Sequence, residues 1–320
     1  MQEIELKFQI PEGALNALTA DIERMPGHAQ EHLQAHYFDT LERRLGQARS
    51  ALRLRKEGPR WVQTLKAVGA NTMMRLEDNQ AAPAPAPGSA ARIDLGLHRG
   101  SPAEAALIKH LGWQPDSDPT GQHTGLIELY RTDIWRQTAR LSVGQGTPLG
   151  GTVELALDLG HIHGGDLSMA VRELEIELVD GHPMAVIEAA RSWVVRHGLW
   201  LDTRTKAHRG DRLARQAAGE VAQNMSPTKT DKGSDLAACL EHLTDHMSCV
   251  ASGLDDPATH TALWRQALQH MVSLPVSDQA MPATVQLLQA LEQTNSPVEL
   301  ARSPSSTLLC LDLFAALLPA

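Results

Sequence analysis

QEIELKF, residues 2–8, is the stretch that decides the fold. Side chains on a strand alternate, so Glu3, Glu5 and Lys7 share one face while Ile4, Leu6 and Phe8 share the other. A sheet with one solvated face accounts for a single strand of this kind. Here the layout recurs. ALRLRK (51–56) sets Arg53 and Arg55 opposite Leu52 and Leu54, and RELEIEL (172–178) sets Glu173, Glu175 and Glu177 opposite Leu174, Ile176 and Leu178. Acidic-faced and basic-faced strands therefore share one domain. Closing them into a barrel, charges inward and apolar faces outward under helices, accommodates both. A barrel of about eight strands has an interior able to hold one small ligand, and this lumen becomes a charged tunnel for cations and a polyanion.

The rest of the chain supplies the other elements. PEGALNALTADIERM (11–25) carries Leu15, Leu18, Ile22 and Met25 at helical spacing. Strands follow at 35–40, 51–56, 60–68 and 73–79, with RRLGQAR as a turn; QAAPAPAPGSAA (80–91) is a loop, since each Pro removes a ladder donor. SPAEAALIKHLGW (101–113) opens with Ser101 as N-cap, Pro102 next and Glu104 in capping-box position, predicting a helix. GLIELYRTDIWRQT, ARLSVGQG, GTVELALDLGHIH and VRELEIELVD predict four further strands. A helix over 182–198 ends at Gly198, and TRTKAHRGDRLARQ (203–216) closes the first domain. Residues 217–233, around NMSPTKTDKG, read as a linker, and 234–320 as helical runs broken by prolines. The expected class is α+β: an eight-stranded antiparallel tunnel with outer helices over 1–216, plus a small all-α region.

Composition sets the outer bounds. A length of 320 residues suits two units, and 42% hydrophobic with 21% charged residues is a globular balance. The net charge of -9 argues against a dedicated nucleic-acid binder. Residues 221–320 hold 4 Lys and Arg against 10 Asp and Glu, so the acidic surplus is concentrated beyond the linker. Cys239, Cys249 and Cys310 lack close metal-ligand spacing. Charged residues stand where a secretory leader would be apolar, and no apolar run of about 20 residues follows, so cytoplasm is the expected compartment, with no membrane contact.

Glu3 and Glu5 lie on one face about 6 to 7 Å apart at the rise of a strand, which suits convergence on a hard divalent cation, Mg2+ or Mn2+. Glu173, Glu175 and Glu177 could complete such a site from another strand. Arg53, Arg55, Lys66, Arg75, Arg131 and Lys206 supply positive charge for phosphate oxygens, with Arg giving bidentate contacts. Asp39 is read either as a site residue or as a turn cap, and Asp158 as a weaker acidic candidate. His161 and His163 alternate at a strand end without a third ligand nearby. GQGTPLGG lacks the Lys-Ser/Thr ending of a P-loop, and no G-x-S-x-G occurs.

The ordered set QEIELKF, HYFDT, ALRLRK, QTLKA, MRLED, LYRTDIW, VELALDLG, ELEIEL and TKAHRG resembles the CYTH superfamily, or triphosphate tunnel metalloenzymes, over about residues 1–215. Within it the chain most resembles bacterial inorganic triphosphatases with a C-terminal CHAD domain. The resemblance implies Mg2+ or Mn2+ held by Glu3, Glu5, Glu173 and Glu175, and triphosphate bound by Lys7, Arg53, Arg55, Lys66, Arg75, Arg131 and Lys206. Glu77 and Asp158 match acidic tunnel positions and, with Glu177, are counted in the expected metal set; Arg209 follows Lys206 in the closing motif and is counted among the expected substrate-binding residues; Glu3, Glu5, Lys7 and Lys206 form the expected catalytic set. The segment CLEHLTDHMSCVASGLDDPATHTALWRQALQHM resembles the start of a CHAD domain, but its basic run is reduced to Arg265. The activity implied is hydrolysis of inorganic triphosphate to pyrophosphate and phosphate. Its rivals are a class IV adenylate cyclase, a nucleoside or thiamine triphosphatase, and a non-catalytic polyphosphate or nucleotide sensor.

Overall fold

The computed structural model describes residues 2–67, 73–86, 88–220, 236–253, 256–274 and 280–318. Nine strands are present among them: β1 (Gln2–Gln9), β2 (Ala29–Asp39), β3 (Ala51–Glu57), β4 (Arg60–Ala67), β5 (Met74–Ala82), β6 (Ile127–Val143), β7 (Gly151–Gly164), β8 (Leu167–Gly181) and β9 (Trp200–Leu201). They lie in the order β5-β4-β3-β2-β6-β7-β8-β1, and β1 pairs back onto β5, so eight antiparallel strands close into a barrel. The two-residue β9 adds outside the ring, on β1. At the closure Glu3 stands opposite Arg75, and on the other side of β1 Glu5 stands opposite Glu177 and Lys7 opposite Glu175.

Among the described residues ten α-helices accompany the barrel: α1 (Leu15–Glu23), α2 (Arg44–Gln47), α3 (Pro102–Leu111), α4 (Met184–His197), α5 (Lys206–Ala217), α6 (Leu236–Ser252), α7 (Pro257–Val272), α8 (Ala280–Gln293), α9 (Pro297–Ala301) and α10 (Pro304–Ala316). The alternation read from sequence decides where they pack. Leu6, Phe8, Leu155, Leu157, Leu174 and Ile176 face outward into one core with α1 and α4. Leu52 and Leu65 face outward beneath α3, against Leu107 and Leu111. Ser101 caps α3 by accepting the Ala103 N–H, while Glu104 accepts from Gly100 N–H rather than closing a capping box with Ser101.

Helix α5 is different, because it packs on inward-facing residues. Its Leu213 and Ala214 meet Tyr130, Ile162 and Val171, all lumenal by parity, and so plug one end of the barrel. Two glycines permit this seat. A Cβ on Gly164 would run into the backbone of Ala214, and one on Gly210 would overlap the Tyr130 ring.

Three readings are corrected. GLIELYRTDIWRQT and ARLSVGQG are not two strands but one, β6, because no turn residue separates Thr138 from Ala139. RRLGQAR contains a helical turn, α2, entered through Arg43 at φ 60°. The strand expected at 35–40 starts earlier, at Ala29, since β6 is long enough to pair with all of it. Val68, Pro87 and most of the linker expected at 217–233 lie outside the described residues.

The C-terminal helices α6 to α10 share a continuous core with the barrel's outer face. Leu240, Leu243, Met247, Trp264, Leu309 and Phe314 belong to the same buried cluster as Phe8, Leu155 and the α4 residues Val186 and Trp193. Polar ties cross the junction too. Thr307 Oγ1 accepts the Leu201 N–H at 3.1 Å, Arg191 pairs with Asp312, and the Arg302 guanidinium lies 5.2 Å from the centre of a Trp200 ring. No helix among the described residues is long and apolar enough to cross a membrane.

Candidate active site

The lumen is a cavity of about 290 Å³, lined by Glu3, Glu5, Lys7, Arg53, Arg55, Lys66, Arg75, Glu77, Asp158, Glu175, Glu177 and Lys206. Twelve residues singled out by motif and parity thus converge on one space. Two further acidic and basic candidates, Glu173 and Arg209, lie below it: Glu173 is fully buried and pairs with both Lys206 and Arg209 beside the plug helix. Arg131 is a correction. Inward residues on β6 are Tyr130, Thr132, Ile134 and Arg136, so Arg131 points outward, is largely exposed and pairs with Glu128.

The lumen also contains residues the motifs did not single out. Arg136 grips Asp158 with two hydrogen bonds, 2.6 and 2.7 Å, and also pairs with Glu175. Tyr37, Asn79, Thr132, Glu154 and Thr205 also line the wall. Arg136 was findable: the β6–β7 register sets it opposite Asp158, an acidic position already marked. Asp39 is a turn cap, its carboxylate accepting N–H groups of Thr40, Leu45 and Gly46. His161 and His163 lie on the outer side of β7, their rings 5.9 Å apart.

The carboxylates form two clusters of opposite electrostatic character. Asp158, Glu173 and Glu175 have mutually close ligand oxygens, yet cations already occupy them. Lys206 Nζ is 2.6 Å from Asp158 and 2.9 Å from Glu175, and Lys7 is 3.5 Å from Glu175. Burial would raise the Asp158 and Glu175 carboxyls, but Arg136 and Lys206 at Asp158, and those two with Lys7 at Glu175, outweigh it and hold both low. Those same carboxylates raise Lys206.

Glu3, Glu5 and Glu177 form the second cluster, again with all ligand oxygens within 4.8 Å of one another. Its cation supply is poor. Lys66 Nζ lies 2.6 Å from Glu3, 4.0 Å from Glu5 and 3.6 Å from Glu77. Burial, with the neighbouring carboxylates, pushes Glu3 up to about 8 and Glu177 up to about 7 despite Lys66. For Glu77 burial is outweighed by the cations nearby, Lys66 first and then Arg53, leaving it at about 2. One oxygen of Glu3, Oε2, is buried with no hydrogen-bond partner. A trio of hard oxygen donors with an orphaned lone pair and surplus negative charge fits a divalent cation.

The opposite deficit appears among the arginines. Burial together with the nearby Arg53 and Arg136 lowers Arg55, so three guanidinium groups repel one another across the lumen. Arg53 Nε is buried without an acceptor. An unpaired donor beside crowded cations forms an anion site, and the planar fork of Arg matches phosphate oxygens.

Fold and site together define a closed β tunnel with a charged interior. A family profile for the CYTH domain matches residues 1–210, and the chain belongs to that family. Solved structures are similar at low identity. A Hippeastrum protein, HpAC1, described as having a dominant triphosphatase activity, is 17% identical over 69% of this chain and 98% of its own, with a TM-score of 0.42. A Bacillus halodurans protein provisionally assigned as an adenylate cyclase is 20% identical over 61% of this chain and 89% of its own, with a TM-score of 0.37. The PH1819 protein of Pyrococcus horikoshii OT3 is 15% identical over 63% and 94%, with a TM-score of 0.38.

Proposed function

We propose that the tunnel hydrolyses inorganic triphosphate to pyrophosphate and phosphate, with a divalent metal. The observation that carries this reading is the pairing of two unmet demands in one cavity: a buried Glu3 oxygen without a partner and a buried Arg53 Nε without an acceptor. A polyanion carrying a cation meets both. Glu3, Glu5 and Glu177 would hold Mg2+ or Mn2+, which when bound supplies a Lewis acid for phosphoryl oxygens.

Arg53, Arg55 and Arg136 bind and orient the phosphate oxygens, placing the terminal phosphoryl group for in-line attack by water. Their charge, with that of Lys7 and Lys206, offsets the negative charge on the transferred group; positioning and electrostatics carry most phosphoryl-transfer catalysis. Asp158, Glu173 and Glu175 act one step back, fixing Lys206 and Arg136 in their rotamers. The likeness of residues 234–320 to a reduced CHAD domain is part of this proposal and rests on sequence. Phosphate release from triphosphate, thiamine triphosphate and ATP, each with Mg2+, Mn2+ or EDTA, tests the reading. Turnover of triphosphate with either metal, abolished by EDTA, is expected; cyclic nucleotide formation from ATP without triphosphate hydrolysis overturns it.

A further inference from the structure

We propose that Asp245, on α6 and outside the barrel, is a positioning residue for the tunnel, giving the C-terminal helices a part in substrate binding. Its kinetic consequence rests on the triphosphate reading above. Asp245 is the point where two polar arms meet, and each arm ends on a cation of the lumen.

The first arm runs through Arg49. Glu241 and Asp245 are four residues apart and so share one face of α6. Glu241 pairs with Arg49, and Asp245 Oδ2 lies 3.7 Å from the same guanidinium. Arg49 has φ 53°, a left-handed conformation that a non-glycine residue keeps when its surroundings hold it there. Its carbonyl oxygen accepts from Arg75 Nη2 at 3.2 Å. Arg75 lines the cavity.

The second arm runs through Thr203. Asp245 Oδ1 accepts from Thr203 Oγ1 at 2.8 Å, and Ser248 Oγ accepts from Thr203 N–H at 3.0 Å. On one side of Thr203, the Asp202 N–H donates to the Lys7 carbonyl at 3.0 Å. On the other, Thr205 caps α5 by accepting the His208 N–H at 3.1 Å, and Lys206 is the first residue of that helix. Lys7 and Lys206 both line the cavity. The segment that aims Lys206 is therefore stapled to β1 at one point and to α6 at another.

A pair that merely docks the helices would end at the barrel's surface. Both arms here continue to lumenal cations, so loosening Asp245 moves Arg75 and Lys206 without touching either. Neither contact involves the carboxylates assigned to the metal.

The test is Asp245→Ala in the full chain, read by backbone amide exchange and by triphosphate kinetics. Exchange is expected to quicken at residues 46–51 and 202–209, and KM for triphosphate to rise roughly tenfold with a smaller fall in kcat through Lys206, a coupling of ordinary size. Asp245→Asn keeps an acceptor for Thr203 but loses charge at Arg49; it is expected to loosen 46–51 alone with a smaller KM rise, and it serves if the alanine variant does not fold. Unchanged exchange in both segments overturns the proposal, as does quickened exchange with unchanged KM. A parent protein inert towards triphosphate would instead defeat the substrate reading, and the exchange result would still decide the role of Asp245.

Discussion

Lys66 Nζ lies 2.6 Å from Glu3 Oε1 while the other oxygen of the same carboxylate is buried and unpartnered. One lysine is thus shared among Glu3, Glu5 and Glu77, which cannot be neutralised by a single positive charge. At the other cluster Lys206, Lys7, Arg136 and Arg209 serve Asp158, Glu173 and Glu175. The asymmetry separates a demand for metal from a scaffold of ion pairs, although the sequence marks both with the same residue types.

Arg131→Ala and Arg136→Ala separate outward from inward arginines on one strand. Arg131 is exposed, so its loss should leave triphosphate KM unchanged and stability within about 0.5 kcal/mol. Arg136→Ala should raise KM and also lower the melting temperature, because buried Asp158 keeps only Lys206 as a charged partner. Steady-state kinetics and thermal melts on both variants check this.

Gly210→Ala places a methyl into the Tyr130 ring, where neither the helix backbone nor a ring stacked on Tyr37 can yield freely. Overpacking of this kind costs about 1–3 kcal/mol. Because α5 also carries Lys206, activity should fall along with stability. Ala217, near the exposed end of the same helix, offers a control: Ala217→Ser should leave both unchanged.

A chain ended at Gln216 retains every lumenal residue named above, yet it uncovers the barrel's outer core. Val186, Trp193 and Leu201 would lose the cover of α10, and the Leu201 N–H would lose Thr307. Each exposed apolar Å² costs about 25 cal/mol. The truncated chain should therefore aggregate or melt well below the full chain, as light scattering and calorimetry would report.

His246 supplies a pH dependence remote from the tunnel. Burial, with His242 and His260 nearby, lowers it to about 3, and its Nδ1 sits 2.9 Å from that of His260. An unfolded histidine takes a proton below about 6.5, so between these values the unfolded chain binds more protons than the folded one. Stability contributed by His246 is then present above 6.5 and declines as pH falls. His246→Gln should flatten the loss of melting temperature between pH 6.5 and 5.

The barrel was legible because its alternation is strict where it matters: Ile4, Leu6 and Phe8 against Glu3, Glu5 and Lys7 leave only one inside. Alternation failed on β6, where Tyr130, Thr132 and Ile134 face inward without charge, and a motif arginine one residue out of phase took the place of Arg136. The acidic surplus beyond the linker was visible but not its use. Glu241, Asp245 and Asp312 meet Arg49 and Arg191 of the tunnel domain, a complementarity between segments far apart in sequence that no local pattern records. Nor could spacing tell that Glu173 is spent on Lys206 and Arg209, since that depends on how α5 enters the barrel.

The most direct test of the account is the rate of phosphate release from triphosphate by Glu3→Gln beside the parent at saturating Mg2+ or Mn2+. Gln keeps the shape and the hydrogen bond to Lys66 but removes a charge from the Glu3, Glu5 and Glu177 trio. A fall of at least about 100-fold with an unaltered cooperative melt is expected, the scale of losing a main electrostatic contributor. Turnover equal to the parent's would contradict the assignment of this cluster as the metal site.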